Sequence, residues 1–237
     1  MNKSFGIYGA LLMTFQALVG QALVGCGPAE TQKPEAGKIS SAETAQNVET
    51  GPLVIAFGDS LYAGYQLGPK DGFAPQLQAA LRARGVAASV LNAGVSGDTT
   101  SAGKARLTFV LDNAPGASKL VILGLGGNDM LRGTKPAETR ANLTFMMDEL
   151  KRRKIPVLLT GMLASPNMGP DYAAAFNPIF PDLSRQYGAP LYPFFLDGVV
   201  TDGKLMLADG IHPNKDGVAR VVNGIAPLVE TALRDVE

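Results

Sequence analysis

A chain of 237 residues, 46% hydrophobic and 18% charged, has the length and composition of one globular domain with room for an appendage. Its 21 basic and 21 acidic side chains cancel, which excludes the basic excess of a nucleic-acid binder. The single cysteine, Cys26, rules out an internal disulfide and a cysteine-built zinc site, and the single histidine, His212, rules out a multi-histidine metal site, so no metal and no cofactor is expected.

In chain order, the first element is an export signal. Lys3 is the only charge before an apolar run from Phe5 to Gly25, which ends in Leu23-Val24-Gly25-Cys26. Small residues ahead of a cysteine resemble a bacterial lipobox, whose cysteine is lipidated and becomes the new N-terminus. One alternative is an uncleaved transmembrane anchor, since a run of about 20 apolar residues spans a bilayer. Another is an ordinary signal peptide with an incidental cysteine. The placement of the chain's one cysteine favours the lipobox. Residues 1–25 therefore read as a lipoprotein signal peptide, and residues 26–51 as lipidated Cys26 plus a flexible tether. That tether is rich in Pro, Glu, Ala, Gln, Ser and Thr and has almost nothing large and apolar to bury. Gly27 rather than Asp follows the cysteine, which favours the outer membrane, facing the periplasm, over inner-membrane retention.

From residue 52 to 237 the pattern is that of a folded domain. Apolar runs of strand length recur at Leu53–Phe57, Ala88–Leu91, Leu120–Leu125, Val157–Thr160 and Leu191–Phe195. Their continuity predicts parallel strands buried on both faces. Helical stripes lie between them. Phe73, Leu77 and Leu81 form the first, with Gly85 to end it. Leu107, Val110 and Leu111 mark the second. Pro136 opens the third, with Leu143, Met146, Met147 and Leu150 facing inward. A fourth runs from Tyr172 to Tyr187, kinked or split by Pro178 and Pro181. Asn214 caps the last, which carries Val218, Val221, Val222, Ile225, Leu228 and Val229. Alternating strands and helices predict a three-layer α/β/α sandwich around a parallel sheet.

In open parallel sheets, sites form beyond the carboxyl ends of the strands. Four loops rich in Gly, Asp and Asn lie there: Gly58-Asp59-Ser60-Leu61, Asn92 to Asp98, Gly126-Gly127-Asn128-Asp129 and Asp209 to Asn214. Asp209 precedes His212 by three residues in a turn, so its carboxylate can fold onto one imidazole nitrogen and leave the other as a base. Ser60 follows strand and glycine at the start of a helix, where developing negative charge is favoured. Gly94 offers a backbone N–H and Asn128 a side-chain amide to an oxyanion. Singly, each of these residues is as well explained by turn formation or capping; the combination points to acyl transfer by an activated serine. Ser96, in Gly-Val-Ser-Gly-Asp, falls short of the Gly-x-Ser-x-Gly elbow because Asp98 stands where glycine is needed.

Taken in order, Ser60, Gly94, Asn128 and His212 resemble the four signature residues of the SGNH (GDSL) hydrolases, and Asp209 resembles the acid of that family's Asp-x-x-His pair. The segments Gly126–Gly133 and Asp209–Asn214 are most similar to the multifunctional thioesterase, lysophospholipase and arylesterase subfamily. The resemblance covers nearly all of residues 52–237. It implies a flavodoxin-like SGNH hydrolase fold with a five-stranded parallel sheet in the order 2-1-3-4-5. The implied catalytic residues are Ser60, Asp209 and His212, with an oxyanion hole from Ser60, Gly94 and Asn128. The implied substrates are aryl esters, acyl thioesters or lysophospholipids. Met130, Leu131, Met162, Leu163, Pro166 and Met168 are candidates for an acyl groove, or for ordinary loop packing. A carbohydrate O-acetyl esterase acting on the cell envelope is the alternative within the fold. A non-enzymatic scaffold would instead predict a broken triad. The expected partners are a small-molecule or lipid ester, and the membrane through the lipid anchor.

Overall fold

Five parallel strands in the order β2-β1-β3-β4-β5 make the sheet of the computed structural model, which describes residues 51–235. The expected signal peptide, Cys26 and most of the tether lie outside the described residues. The strands are β1 (Leu53–Gly58), β2 (Ser89–Gly94), β3 (Ser118–Gly124), β4 (Val157–Thr160) and β5 (Leu191–Tyr192). The helices are α1 (Ser60–Ala63), α2 (Phe73–Ala83), α3 (Thr100–Asp112), α4 (Gly127–Leu131), α5 (Pro136–Arg152), α6 (Pro170–Phe176), α7 (Ile179–Tyr187) and α8 (Lys215–Arg234).

Both faces of the sheet are covered. Val54 and Ala56 of β1, Leu120 and Ile122 of β3 and Leu158 of β4 pack against α2 and α8. Their neighbours Ile55, Phe57, Val121, Leu123 and Leu159 pack on the opposite side with α3, α5, α6 and α7. Successive strand residues point to opposite faces, so a strand buried on both sides must be apolar throughout. Each fully buried Leu, Ile or Phe contributes roughly 1.5–3 kcal/mol relative to exposure.

The sequence-based strands and longer helices correspond to these elements, while the short helices α1 and α4 lie in segments read from the sequence as loops, β2 runs on to Gly94, and two further elements differ in extent. The fifth strand has two residues rather than five, because Pro193 has no N–H to donate to the ladder and the chain turns away there. The fourth helix is divided into α6 and α7 at Asn177-Pro178, although Pro181 is accommodated in the first turn of α7. The last helix is capped as expected, with Asn214 Oδ1 accepting from the Asp216 and Gly217 N–H groups at 3.0 Å.

Two central strands end in glycine for a steric reason. Gly58 and Gly124 are register partners at the carboxyl ends of β1 and β3. A Cβ on Gly58 would lie 2.2 Å from the Tyr62 ring, and one on Gly124 would lie 2.2 Å from its hydroxyl. Tyr62 therefore lies across the bare end of the sheet, its hydroxyl 2.8 Å from Thr160 Oγ1. Burial pushes the Tyr62 phenol well above its ordinary pKa.

Candidate active site

Strand β1 delivers the first group. Asp59 follows the last strand residue and caps α1, its Oδ1 accepting from Leu61 N–H at 3.0 Å. Ser60 is the first residue of α1, so its backbone N–H has no acceptor within the helix. Asp59 is buried, and burial lifts its carboxyl to about 6, against the opposing hydrogen bond from Leu61 and the field of His212.

The last loop brings the chain's only imidazole onto that serine. His212 Nε2 lies 2.8 Å from Ser60 Oγ, across a separation of 152 residues. His212 Nδ1 lies 2.7 Å from Asp209 Oδ2, while Asp209 Oδ1 accepts from the Ile211 and His212 N–H groups at 2.9 and 3.0 Å. These bonds, the His212 backbone N–H foremost, hold the Asp209 carboxyl down at about 2. An ionised carboxylate at Nδ1 requires the proton there. Nε2 then carries the lone pair, and the Ser60 hydroxyl donates to it.

Asn128, in the five-residue helix α4, reaches the same edge. Its Nδ2 donates to Asp98 O at 3.0 Å and more weakly, at 3.4 Å, to Asp59 Oδ2. The longer bond leaves one amide hydrogen available to a better acceptor.

Gly94 does not present its N–H as the sequence predicts. The group donates to Asn92 Oδ1 at 2.9 Å, and Gly94 is the last residue of β2, with a Cβ there meeting Ala63 N at 2.3 Å. Its lack of a side chain serves close packing against α1. Gly97, three residues on, has the properties that Gly94 lacks. It has φ +84°, its carbonyl accepts from Arg132 at 2.8 Å, and its N–H donates to no group among the described residues. Gly97 also adjoins Asp98, whose carbonyl receives the Asn128 amide.

Two supporting clusters carry no sequence signal of their own. Asp129, 1% exposed, accepts from Thr100 N–H at 2.7 Å, Thr100 Oγ1 at 2.5 Å and Thr139 Oγ1 at 3.3 Å. It thereby ties α4, and Asn128 with it, to α3 and α5. Arg106 pairs with Asp98 at 2.6 Å, donates to Gly58 O at 2.9 Å and lies 4.0 Å over the Phe57 ring. It joins the end of β1 to the loop after β2. Of the candidate acyl-groove residues, Met130 is buried, and its sulfur accepts from Ser165 N–H at 3.0 Å. Met162 and Met168 pack against the core, while Leu131, Leu163 and Pro166 remain exposed.

A serine whose hydroxyl meets an imidazole already fixed by a carboxylate, with amide donors on adjacent loops, has the parts of a serine hydrolase. Residues 56–220 match the GDSL-like Lipase/Acylhydrolase family, and the chain belongs to it. It is a carboxylic ester hydrolase of that family. Esterase TesA of Pseudomonas aeruginosa is 37% identical over 180 residues, covering 76% of this chain and 89% of that protein. Thioesterase 1/protease 1/lysophospholipase L1 of Escherichia coli is 34% identical over 177 residues, 75% of this chain and 83% of that one. The crystal structure of AlinE4, an SGNH-hydrolase family esterase, superposes with a TM-score of 0.66 at 47% identity, covering 77% of this chain and 96% of that chain.

Proposed function

We propose that this protein hydrolyses aryl esters, acyl thioesters and lysophospholipids through an acyl-enzyme on Ser60. The carrying observation is the 2.8 Å contact between Ser60 Oγ and His212 Nε2, with Asp209 on the other ring nitrogen. Ser60 Oγ attacks the carbonyl carbon as its proton passes to Nε2. The tetrahedral adduct collapses, the bond to the leaving alkoxide or thiolate breaks, and the Nε2 proton goes to that leaving group. Water then attacks the acyl carbon, giving one proton to Nε2. The acid departs, and Ser60 Oγ takes that proton back. Asp209 keeps the imidazole in one tautomer and stabilises the imidazolium.

The oxyanion is held by the Ser60 N–H, the Asn128 amide and, in place of Gly94, the Gly97 N–H. Removing one such donor typically lowers turnover about 100- to 1,000-fold. Leu131, Leu163 and Pro166, exposed on the segments that follow β3 and β4, are the residues we assign to an acyl path. The names of the relatives from Pseudomonas aeruginosa and Escherichia coli support ester, thioester and lysophospholipid substrates. Export and lipid anchoring through Cys26 to the outer membrane belong to the same proposal, supported by the sequence from Phe5 to Cys26. Replacing Cys26 with Ser is expected to release the protein from the membrane fraction.

The test is labelling with a fluorophosphonate probe, together with a p-nitrophenyl ester series from acetyl to palmitoyl, palmitoyl-CoA and lysophosphatidylcholine. Labelling of the wild type and none of Ser60→Ala is expected, with activity extending to long chains. Equal labelling of Ser60→Ala would refute the nucleophile. Activity confined to acetyl esters would refute the acyl path.

A further inference from the structure

We infer that Tyr65 is a positioning residue for His212, its ring face holding the imidazole upright and stabilising the imidazolium; this rests on the triad proposed above. The two rings lie with centroids 4.4 Å apart and planes inclined by 35°. Hydrogen bonds to Asp209 and Ser60 fix the two nitrogens of the imidazole but leave it free to tilt about the line between them. A ring packed on its face blocks that tilt.

Chain geometry next to the nucleophile presents Tyr65 in this way. Helix α1 is a single turn, ended by Gly64 at φ +79°, and Tyr65 N–H donates back to Ser60 O at 3.3 Å. One short segment therefore carries both the hydroxyl and the ring that meet the imidazole. Gln66, a non-glycine residue, sits at φ +56° and donates from Nε2 to the Tyr65 hydroxyl at 3.2 Å. Left-handed backbone at a non-glycine residue is strained, and such strain concentrates at functional sites. No hydrogen bond joins the Tyr65 hydroxyl to His212, so the interaction is one between the rings. Tyr65 is 38% exposed and outside both core clusters, so the fold does not require it for packing.

An aromatic face attracts a cation more than a neutral ring. The imidazole becomes cationic as Ser60 gives up its proton, so the contact strengthens on the way to the transition state. An interaction of that kind raises kcat rather than lowering KM.

The sole histidine makes a direct readout possible, because His212 supplies the only imidazole signals in a proton NMR spectrum. Ring current from Tyr65 should shift those signals upfield. Tyr65→Leu is expected to abolish the shift and to lower kcat on p-nitrophenyl butyrate roughly 3- to 10-fold, with KM within about twofold. Tyr65→Phe keeps the ring and is expected to retain both shift and kcat. Unmoved imidazole signals in Tyr65→Leu, an unchanged kcat, or equal losses in the Phe and Leu variants would each overturn the inference. Failure of the triad itself would show separately, as full turnover by Ser60→Ala with the ring-current shift intact.

Discussion

Replacing Asp129 with Ala is the sharpest test of how the candidate site is held together. The carboxylate is 1% exposed and receives the Thr100 N–H at 2.7 Å, the Thr100 hydroxyl at 2.5 Å and the Thr139 hydroxyl at 3.3 Å. Hydrogen bonds to a charged acceptor contribute about 1.5–3 kcal/mol each, and a buried donor left without a partner costs about 1–3 kcal/mol. The Thr139 bond is long, and its hydroxyl can rotate to another acceptor. The Thr100 hydroxyl has Asn142 Nδ2 at 3.2 Å, but that group only donates and cannot replace the carboxylate. Two strong bonds are therefore lost, partly offset by no longer burying a charge, for a net loss of about 3–5 kcal/mol. For a domain of this size, 1 kcal/mol corresponds to about 2–4 °C in Tm, so the expected fall is roughly 10 °C. Urea unfolding followed by circular dichroism, with Tm measured alongside, gives the comparison. Thr139→Val, which removes only the weak bond, is expected to lose about 1 kcal/mol. If Asp129→Ala unfolds within 1 kcal/mol of wild type, or Thr139→Val is as damaging, the cluster does not hold α4 as argued.

Four further outcomes are expected. Asp209→Asn should lower kcat about 10,000-fold with the fold intact, because the amide no longer dictates the tautomer; a loss under tenfold on p-nitrophenyl acetate counts against that role. Asn128→Ala should lower kcat about 100- to 1,000-fold while KM stays near wild type, as steady-state kinetics would show. Asn92→Ala frees the Gly94 N–H and should not raise kcat; a rise would restore Gly94 as the oxyanion donor. With its carboxyl lifted from 3.8 to about 6, Asp59 binds a proton more tightly in the folded than in the unfolded chain. Its contribution is complete below pH 3.8 and lost as pH rises through about 6, a change of about 3 kcal/mol. Urea titrations from pH 4 to 7 should show wild type losing that stability relative to Asp59→Asn, and parallel curves would exclude the effect.

Different parts of this molecule were legible in the sequence for different physical reasons. Strands β1, β3 and β4 are enclosed by helices on both faces, so nearly every residue is apolar and the run is unmistakable. Asp209 and His212 are three residues apart, so their pairing could be read from turn geometry alone. Helices α1 and α4, of four and five residues, are too short for a 3.6-residue period and read as loops. The Asp129–Thr100 bond spans 29 residues and the Arg106–Gly58 bond 48, and nothing local announces either. The sequence reading singles out Gly94, yet Gly94 is required by packing against Ala63, and it is Gly97, three residues on, that φ +84° requires. Which N–H stays open depends on the side chain of Asn92, information that residue type does not carry.

The same contrast explains why Asp209 rather than Asp59 is the partner of His212. Both carboxylates act electrostatically on the imidazole, and their environments drive them in opposite directions. Asp209 sits in an exposed turn, where water and two backbone N–H groups share the charge, and it is held at about 2. It is therefore ionised whenever the serine could be activated near neutral pH. Asp59 is buried beneath the serine with one close backbone donor, and its carboxyl gives up its proton only at about 6. No hydrogen bond joins it to the imidazole, and the charge it takes on above about pH 6 lies 3.4 Å from the Asn128 amide, the donor proposed for the oxyanion. In the proposed mechanism, an ionised acid on the far nitrogen puts negative charge behind the base, where it stabilises the imidazolium, and at a distance from the carbonyl oxygen that must become negative.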